Sequence, residues 1–461
     1  MDFIGRKREL KALDDAYKAH QSTFLPIYGR RRVGKSELIK HFIKNRQALY
    51  FQGKQAPAKL QIKEFLRIGA LTLNQPLLAQ TSVDNWQQAI SLVVDQATPQ
   101  KKFIIVLDEF QWTAEACPEL PSVLQSLIDN DWGGNQRVML ILCGSFMGFM
   151  EREVLGEKSP LYGRRTGQIL LKPFSYLEAG RFHPSMSMVE KAKAFAICGG
   201  VPYYLKFFSQ GDSIETNIRN NFLNEFSALA REPEFLLREE LKELKNYFGI
   251  LTALSTGAAT NREIARVIGI EEKTLFYYLK SLMDLGYISK HYPLFGNKPN
   301  PQQVRYKLHD PLLRFWFRFI YPNGSAIYQM EEKSSFMNLI KPNLESYFGY
   351  CFEILCKDAL SFIYKKEDLA CAYQVGDYWD KEVQIDVVGY RQDNIIDLCE
   401  CKWGKVASTP KLIEELKTKI SLYPNKANKT IKGRLFLRHK RKIPLDTNIQ
   451  TFFLDDLYSL S

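Results

Sequence analysis

The sequence predicts an α/β protein of several domains, with a phosphate-binding loop in the first of them. Three observations carry this. Short apolar runs alternate with helical patterns over the first 170 or so residues. A glycine-bearing basic loop ends the first of those runs. The chain's 461 residues exceed one domain of roughly 100–200 residues. With 45% apolar and 25% charged residues, the composition excludes a disordered or fibrous protein. No stretch reaches the ~18 consecutive apolar residues of a membrane helix. The start, Met1 to Arg6, carries no apolar signal region. The eight cysteines form no CxxC pair. A cytoplasmic protein with no membrane partner is the expectation.

The runs at 23–28, 48–51, 103–107, 138–143 and 168–171 read as strands of a parallel sheet. After the first run comes Gly29-Arg30-Arg31-Arg32-Val33-Gly34-Lys35-Ser36, which fits GxxxxGK(S/T) without mismatch. A helix is predicted over 37–44, with Glu37 in its first turn. The glycines let backbone N–H groups curl around phosphates, and the helix N-terminus adds the positive end of its dipole. Lys35, read here as a surface loop residue, neutralises terminal phosphate charge. The Ser36 hydroxyl is a Mg²⁺ ligand. The third run ends in Asp108-Glu109. Asp108 is the expected partner of Mg²⁺, and Glu109 the group that orients or deprotonates water. ATP and Mg²⁺ are therefore the expected cofactors.

Residues 175–240 read as helical. From 247 to 321 the pattern becomes helix, turn, helix and a two-stranded wing. Thr260 and Glu263 form a capping box and Gly269 closes that helix. The next helix carries Leu275, Tyr278, Leu279 and Leu282 on one face. Lys273, Thr274, Tyr277, Lys280 and Ser281 lie on the other, with Lys290, Lys298, Arg305 and Lys307 in the wing. These residues suit phosphate and base contacts.

The last stretch opens with a helix over 343–360, followed by a hairpin of 382–390 and 395–402. Glu400 and Lys402 share a strand face, and the hairpin sets Asp386 beside them. Carboxylates so grouped could hold Mg²⁺ or Mn²⁺, with Lys402 facing phosphate. From Cys401 to Lys442 there are 13 Lys and Arg against 2 Glu, a local charge of +11 that suits a phosphate backbone. Within a formal charge of +12, this makes nucleic acid the expected partner, DNA more than RNA.

Several segments together resemble the archaeal-type AAA+/STAND ATPases. They are the start Phe3-Ile4-Gly5-Arg6-Lys7-Arg8-Glu9-Leu10, the strand before Gly144-Ser145, the segment Leu161 to Thr166 and Gly199-Gly200-Val201-Pro202. The resemblance implies that Gly5 and Arg6 lie near adenine and that Ser145 is a polar sensor. It also implies that Arg164 or Arg165 senses phosphate or acts in trans. It divides the chain into an ATPase domain at 1–174, a helical lid at 175–240, a winged helix-turn-helix at 241–325 and a domain similar to PD-(D/E)xK nucleases at 326–461. That last domain would have a restriction-endonuclease-like α/β fold. The Asp386, Glu400 and Lys402 pattern matches its core, although Ile385 stands where that motif has proline. The family's helix glutamate falls on Glu353, with Glu345 as the alternative. These residues and Lys35, Glu109 form the expected catalytic set. A nucleotide-dependent homo-oligomer is also implied. Two other functions fit the same residues: a DNA-binding switch that does not cleave, and a nucleotide-driven signalling scaffold.

Overall fold

The computed structural model describes residues 3–98, 101–132, 138–295, 303–444, 446 and 448–460. The chain falls into two compact units, Met1–Pro173 and Phe174–Ser461.

The first unit holds β1 (Thr23–Tyr28), β2 (Ala48–Gln52), β3 (Phe103–Asp108), β4 (Val138–Gly144) and β5 (Ile169–Leu170). Their order is β2-β3-β4-β1-β5, parallel throughout. Strands β1, β3 and β4 are buried along their whole length, which is why they read as unbroken apolar runs. Alternate residues serve two cores. Phe24, Ile105, Leu107, Leu140 and Leu142 enter one, and Leu25, Ile27, Ile104, Val106, Met139 and Ile141 enter the other. The last strand is shorter than its apolar run. The Leu171 N–H, one residue beyond it, still donates to the Tyr28 carbonyl at 2.7 Å.

In the second unit, capping boxes at Ser175 and Ser187 open the first helices. The helix-turn-helix follows, with helices Leu244–Ser255, Asn261–Ile268 and Glu272–Asp284. The predicted capping box at Thr260 is formed, and Gly269 adopts φ 72° at the end of its helix. Leu275, Leu279 and Leu282 are buried, whereas Tyr278 is half-buried and accepts a bond from Asn246 Nδ2 at 2.7 Å. The wing is the antiparallel pair β6 (Ile288–His291) and β7 (Arg305–Leu308). Lys298 lies outside the described residues.

The chain ends in a mixed sheet of β8 (Tyr373–Trp379), β9 (Gln384–Arg391), β10 (Ile395–Lys402), β11 (Thr430–Leu437) and β12 (Ile449–Phe453). Its order is β12-β11-β10-β9-β8, antiparallel from β8 to β10 and parallel from β10 to β12. The 26-residue helix Lys341–Lys366 lies against β8, β9 and β10. Strand β9 is irregular. Gly376 pairs with Val388, but Tyr378 pairs with Ile385, so β9 carries one extra residue. Ile385 and Val388 consequently enter the same apolar cluster although three residues apart. Asp386 sits inside this bulge. Among the described residues, no helix is long and apolar enough to cross a membrane.

Candidate functional site

Strand β4 lies between β1 and β3. The segments that follow these three strands therefore meet at one end of the sheet. The loop Gly29–Ser36 leaves β1, Asp108-Glu109 ends β3, and Ser145 follows β4. Gly29 has φ 151°, and a Cβ there would lie 2.4 Å from the Leu171 carbonyl oxygen, so only glycine fits. The helix after the loop begins at Lys35, two residues earlier than predicted. Lys35 is in consequence buried, at 7% exposure, and not a surface loop residue. Its ammonium donates to the carbonyls of Gly29 at 2.8 Å and Arg30 at 3.0 Å. Burial lowers its pKa, and the charges of Glu109 and Asp108 work against that shift. A buried ammonium bonded to carbonyls suits an incoming phosphate anion.

Ser36 Oγ donates to Asp108 Oδ2 at 2.7 Å. Tyr50 Oη donates to the same oxygen. The hydroxyl and carboxylate already converge, and they are hard oxygen donors of the kind Mg²⁺ takes. The site therefore fits Mg²⁺. Glu109 adopts φ 49°, uncommon for a residue other than glycine. Ser145 Oγ donates to Glu109 Oε2 at 2.9 Å, and Gln111 Nε2 donates to the same oxygen. The expected sensor residue thus touches the expected base. Tyr50 and Gln111 were not legible from sequence, because each acts through a strand or helix neighbour that only the fold supplies.

The remaining predicted residues are placed as follows. Gly5 and Arg6 have φ 70° and 58°, and Arg6 Nη2 donates to the Val33 carbonyl at 3.0 Å, bracing the loop from behind. Arg30 and Arg31 are half-buried, while Arg32 and Glu37 are exposed. Arg164 is held by both oxygens of Asp129 at 2.8–2.9 Å and by the carbonyls of Pro160 and Tyr162. Its fork is occupied within its own unit. Arg165 is exposed and close enough to Tyr28 to bear on its hydroxyl.

In the second unit, the Cys401 N–H donates to Asp386 Oδ2 at 2.9 Å. Lys402 Nζ donates to Glu400 Oε1 at 2.7 Å. Glu353 sits on the long helix, and its pKa is pushed up to about 7, by burial first and then by the charge of Asp386. Asp386 is raised too, by burial and by Glu400. The four predicted residues are thus brought together. The three-carboxylate metal site expected of them is not assembled. Lys419 Nζ, one helix on, donates to the second Glu400 oxygen at 2.6 Å, and Glu400 is 3% exposed. Two lysines neutralise the carboxylate that a cation would need. Among the described residues no three His, Cys, Asp or Glu groups are disposed to hold a metal ion. Glu345, the alternative, pairs with Lys193 and Arg438 and accepts from Trp403 Nε1.

Part of the basic stretch is engaged inside its own domain. Lys402 and Lys419 bind Glu400, and Lys417 binds Asp446. Arg434 bridges Glu367 and Asp397, and Lys440 meets Asp455. The wing is also partly used: Arg305 stacks on Trp379, and Lys307 pairs with Asp377. On the second helix of the turn, Lys273, Thr274, Tyr277 and Lys280 are exposed as expected. Ser281 Oγ instead donates to the Tyr277 carbonyl.

An uncharacterized protein of Methanocaldococcus jannaschii is 30% identical to this chain over 405 residues, covering 87% of each. The chain belongs to the same family as that archaeal protein. Residues 3–208 of the chain match an ATPase domain found predominantly in Archaea. Residues 248–290 match bacterial regulatory proteins of the arsR family, and residues 316–419 a family of archaeal and bacterial proteins of unknown function. A second M. jannaschii protein, an uncharacterized ATP-binding protein, is 42% identical over 45 residues, 10% of this chain and 76% of that one. The fold is similar to the Walker-type ATPase of Pyrococcus abyssi, with TM-score 0.52 and 19% identity, covering 69% of this chain and 96% of that one. The first unit is accordingly an ATPase domain with a parallel-sheet P-loop fold, and a helix-turn-helix follows in the second.

Proposed function

We propose that this protein is a Mg²⁺-dependent ATPase whose nucleotide state governs contact between its winged helix and DNA. One observation carries the reading: Lys35, Ser36, Asp108, Glu109 and Ser145 converge at one sheet end. ATP supplies the phosphoryl group and Mg²⁺ the countercharge. The Lys35 ammonium turns from the Gly29 and Arg30 carbonyls to the terminal phosphate. Ser36 Oγ and Asp108 would hold the cation. Glu109 Oε2 takes the proton of the attacking water, and Ser145 and Gln111 aim that carboxylate. The helix Glu272–Asp284 presents Lys273, Thr274, Tyr277 and Lys280 to the DNA. ATP turnover together with salt-dependent DNA binding, with and without nucleotide, tests the reading. Binding that ignores nucleotide overturns the nucleotide control, and the lack of any salt-sensitive DNA binding favours the signalling scaffold.

A second reading concerns the last domain. Asp386, Glu400 and Lys402 on adjacent strands under a long helix support a nuclease-like fold. With Glu400 caged by Lys402 and Lys419, the domain acts as a clamp that does not cleave. Plasmid nicking with Mg²⁺ or Mn²⁺ that Asp386→Ala abolishes would replace the clamp by a nuclease.

A further inference from the structure

A cavity of about 360 Å³ lies inside the second unit, walled by β7, the helix after it, the long helix and the ends of β8 and β9. Its volume falls in the range of small-molecule pockets. Four cations line it: Arg305, Lys307, Arg314 and Arg318. Lys307 is neutralised by Asp377, which Lys357 also binds at 3.1 Å. The deepest cation is Arg314, only 5% exposed. Its Nε and Nη1 have no hydrogen-bond partner. Its guanidinium lies over the Tyr350 ring at 5.5 Å. The carboxylate of Asp310, four residues back, favours its charged form, and that carboxylate also accepts the Leu313 N–H at 2.7 Å. A buried guanidinium with two nitrogens unsatisfied is costly, and an anion with two or more oxygens would satisfy them. Arg318 adds one long bond of 3.5 Å, to the Ser255 carbonyl.

The facing wall carries Glu353 and Asp386. These two carboxyls disfavour an anion at this end and offer oxygens for hydrogen bonding. One end of the cavity therefore suits an oxyanion, and the other a polar group that is not anionic.

We propose that this cavity is a binding site for a small phosphate-bearing molecule no larger than a mononucleotide, its phosphate on Arg314 and Arg318. The site is independent of the phosphate loop in the first unit.

The test uses the full chain carrying Lys35→Ala, which silences the phosphate loop. Calorimetric titration with inorganic phosphate and with AMP separates the two sources of the phosphate group. One equivalent is expected to bind. Equal affinity assigns phosphate alone to the site, and tighter AMP adds the nucleoside. Arg314→Gln should weaken binding about tenfold or more. Arg314 is a core residue, so Arg318→Gln, at a half-buried position, is the second variant and should weaken binding in the same direction. Retained thermal unfolding temperatures certify both folds. Absence of binding by both probes up to about 10 mM, or unchanged affinity in Arg318→Gln and in a folded Arg314→Gln, overturns the proposal.

Discussion

The two clusters of charged residues, one after β1 and β3 and the other on β9 and β10, use the same residue types in opposite states. At the phosphate loop, Lys35 rests on carbonyls, and Asp108 receives two hydroxyls and its neighbour's N–H. Both charges remain available to a ligand. On β10, Glu400 already holds two lysines, and Asp386 holds a backbone N–H. A polar residue in an apolar strand has to be satisfied, but a sequence motif does not say by what. The first cluster is poised for an anion and a cation. The second is closed by its own protein.

The sharpest way to break this comparison is Lys35→Ala. Turnover of ATP should fall by about 10²–10³-fold or more, the scale of removing one charge-stabilising donor. Circular dichroism should show the fold intact, because the lost bonds run only to loop carbonyls. Wild-type turnover would end the nucleotide argument.

Glu109→Gln should slow hydrolysis about 10²–10⁴-fold while ATP still binds. An unchanged turnover number would hand the role of base to another residue and reduce Glu109 to an anchor for Ser145.

The second cluster is opened by Lys419→Met. With one lysine gone, a Glu400 oxygen is released, and Mn²⁺ affinity at this site should rise about tenfold. Manganese titration in the Lys35→Ala background, read by paramagnetic relaxation, measures it. No gain would mean that Lys402 alone closes the carboxylate.

The smallest effect is on stability. Glu353 titrates at about 7 in the folded chain, above its ordinary 4.5. The folded state therefore binds more protons than the unfolded state between these values. The group costs nothing below about pH 4.5, and its cost grows as pH rises towards 7. Glu353→Gln should leave stability unchanged at pH 4.5 and raise it by up to about 3 kcal/mol at pH 8. Thermal unfolding at the two pH values decides the sign.

Much of the fold was legible. Strands β1, β3 and β4 are buried on both faces, so their runs stand out at any register. The capping box at Thr260 and the φ 72° of Gly269 are local, and local chemistry is written in adjacent residues. Strands β8, β11 and β12 were not read. Their burial is partial or interrupted, as in the half-buried run of β12, and β11 pairs with a strand that ends 28 residues before it. The Asp386 bulge was equally invisible, since it exists only in the pairing of β9 with β8.

The sequence by itself determined which residues bear the chemistry of the phosphate loop, because that loop's spacing is dictated by phosphate geometry within one contiguous segment. It also determined that Glu400 and Lys402 share a face, because strand alternation is a local rule. Tertiary structure alone decided what those groups touch. Lys419 reaches Glu400 from a helix 19 residues on, Tyr50 reaches Asp108 across 58 residues, and Arg314 is stranded in a cavity by elements up to 72 residues away. Electrostatic partnership depends on distance in space and on local dielectric, and neither is a property of a single segment of chain.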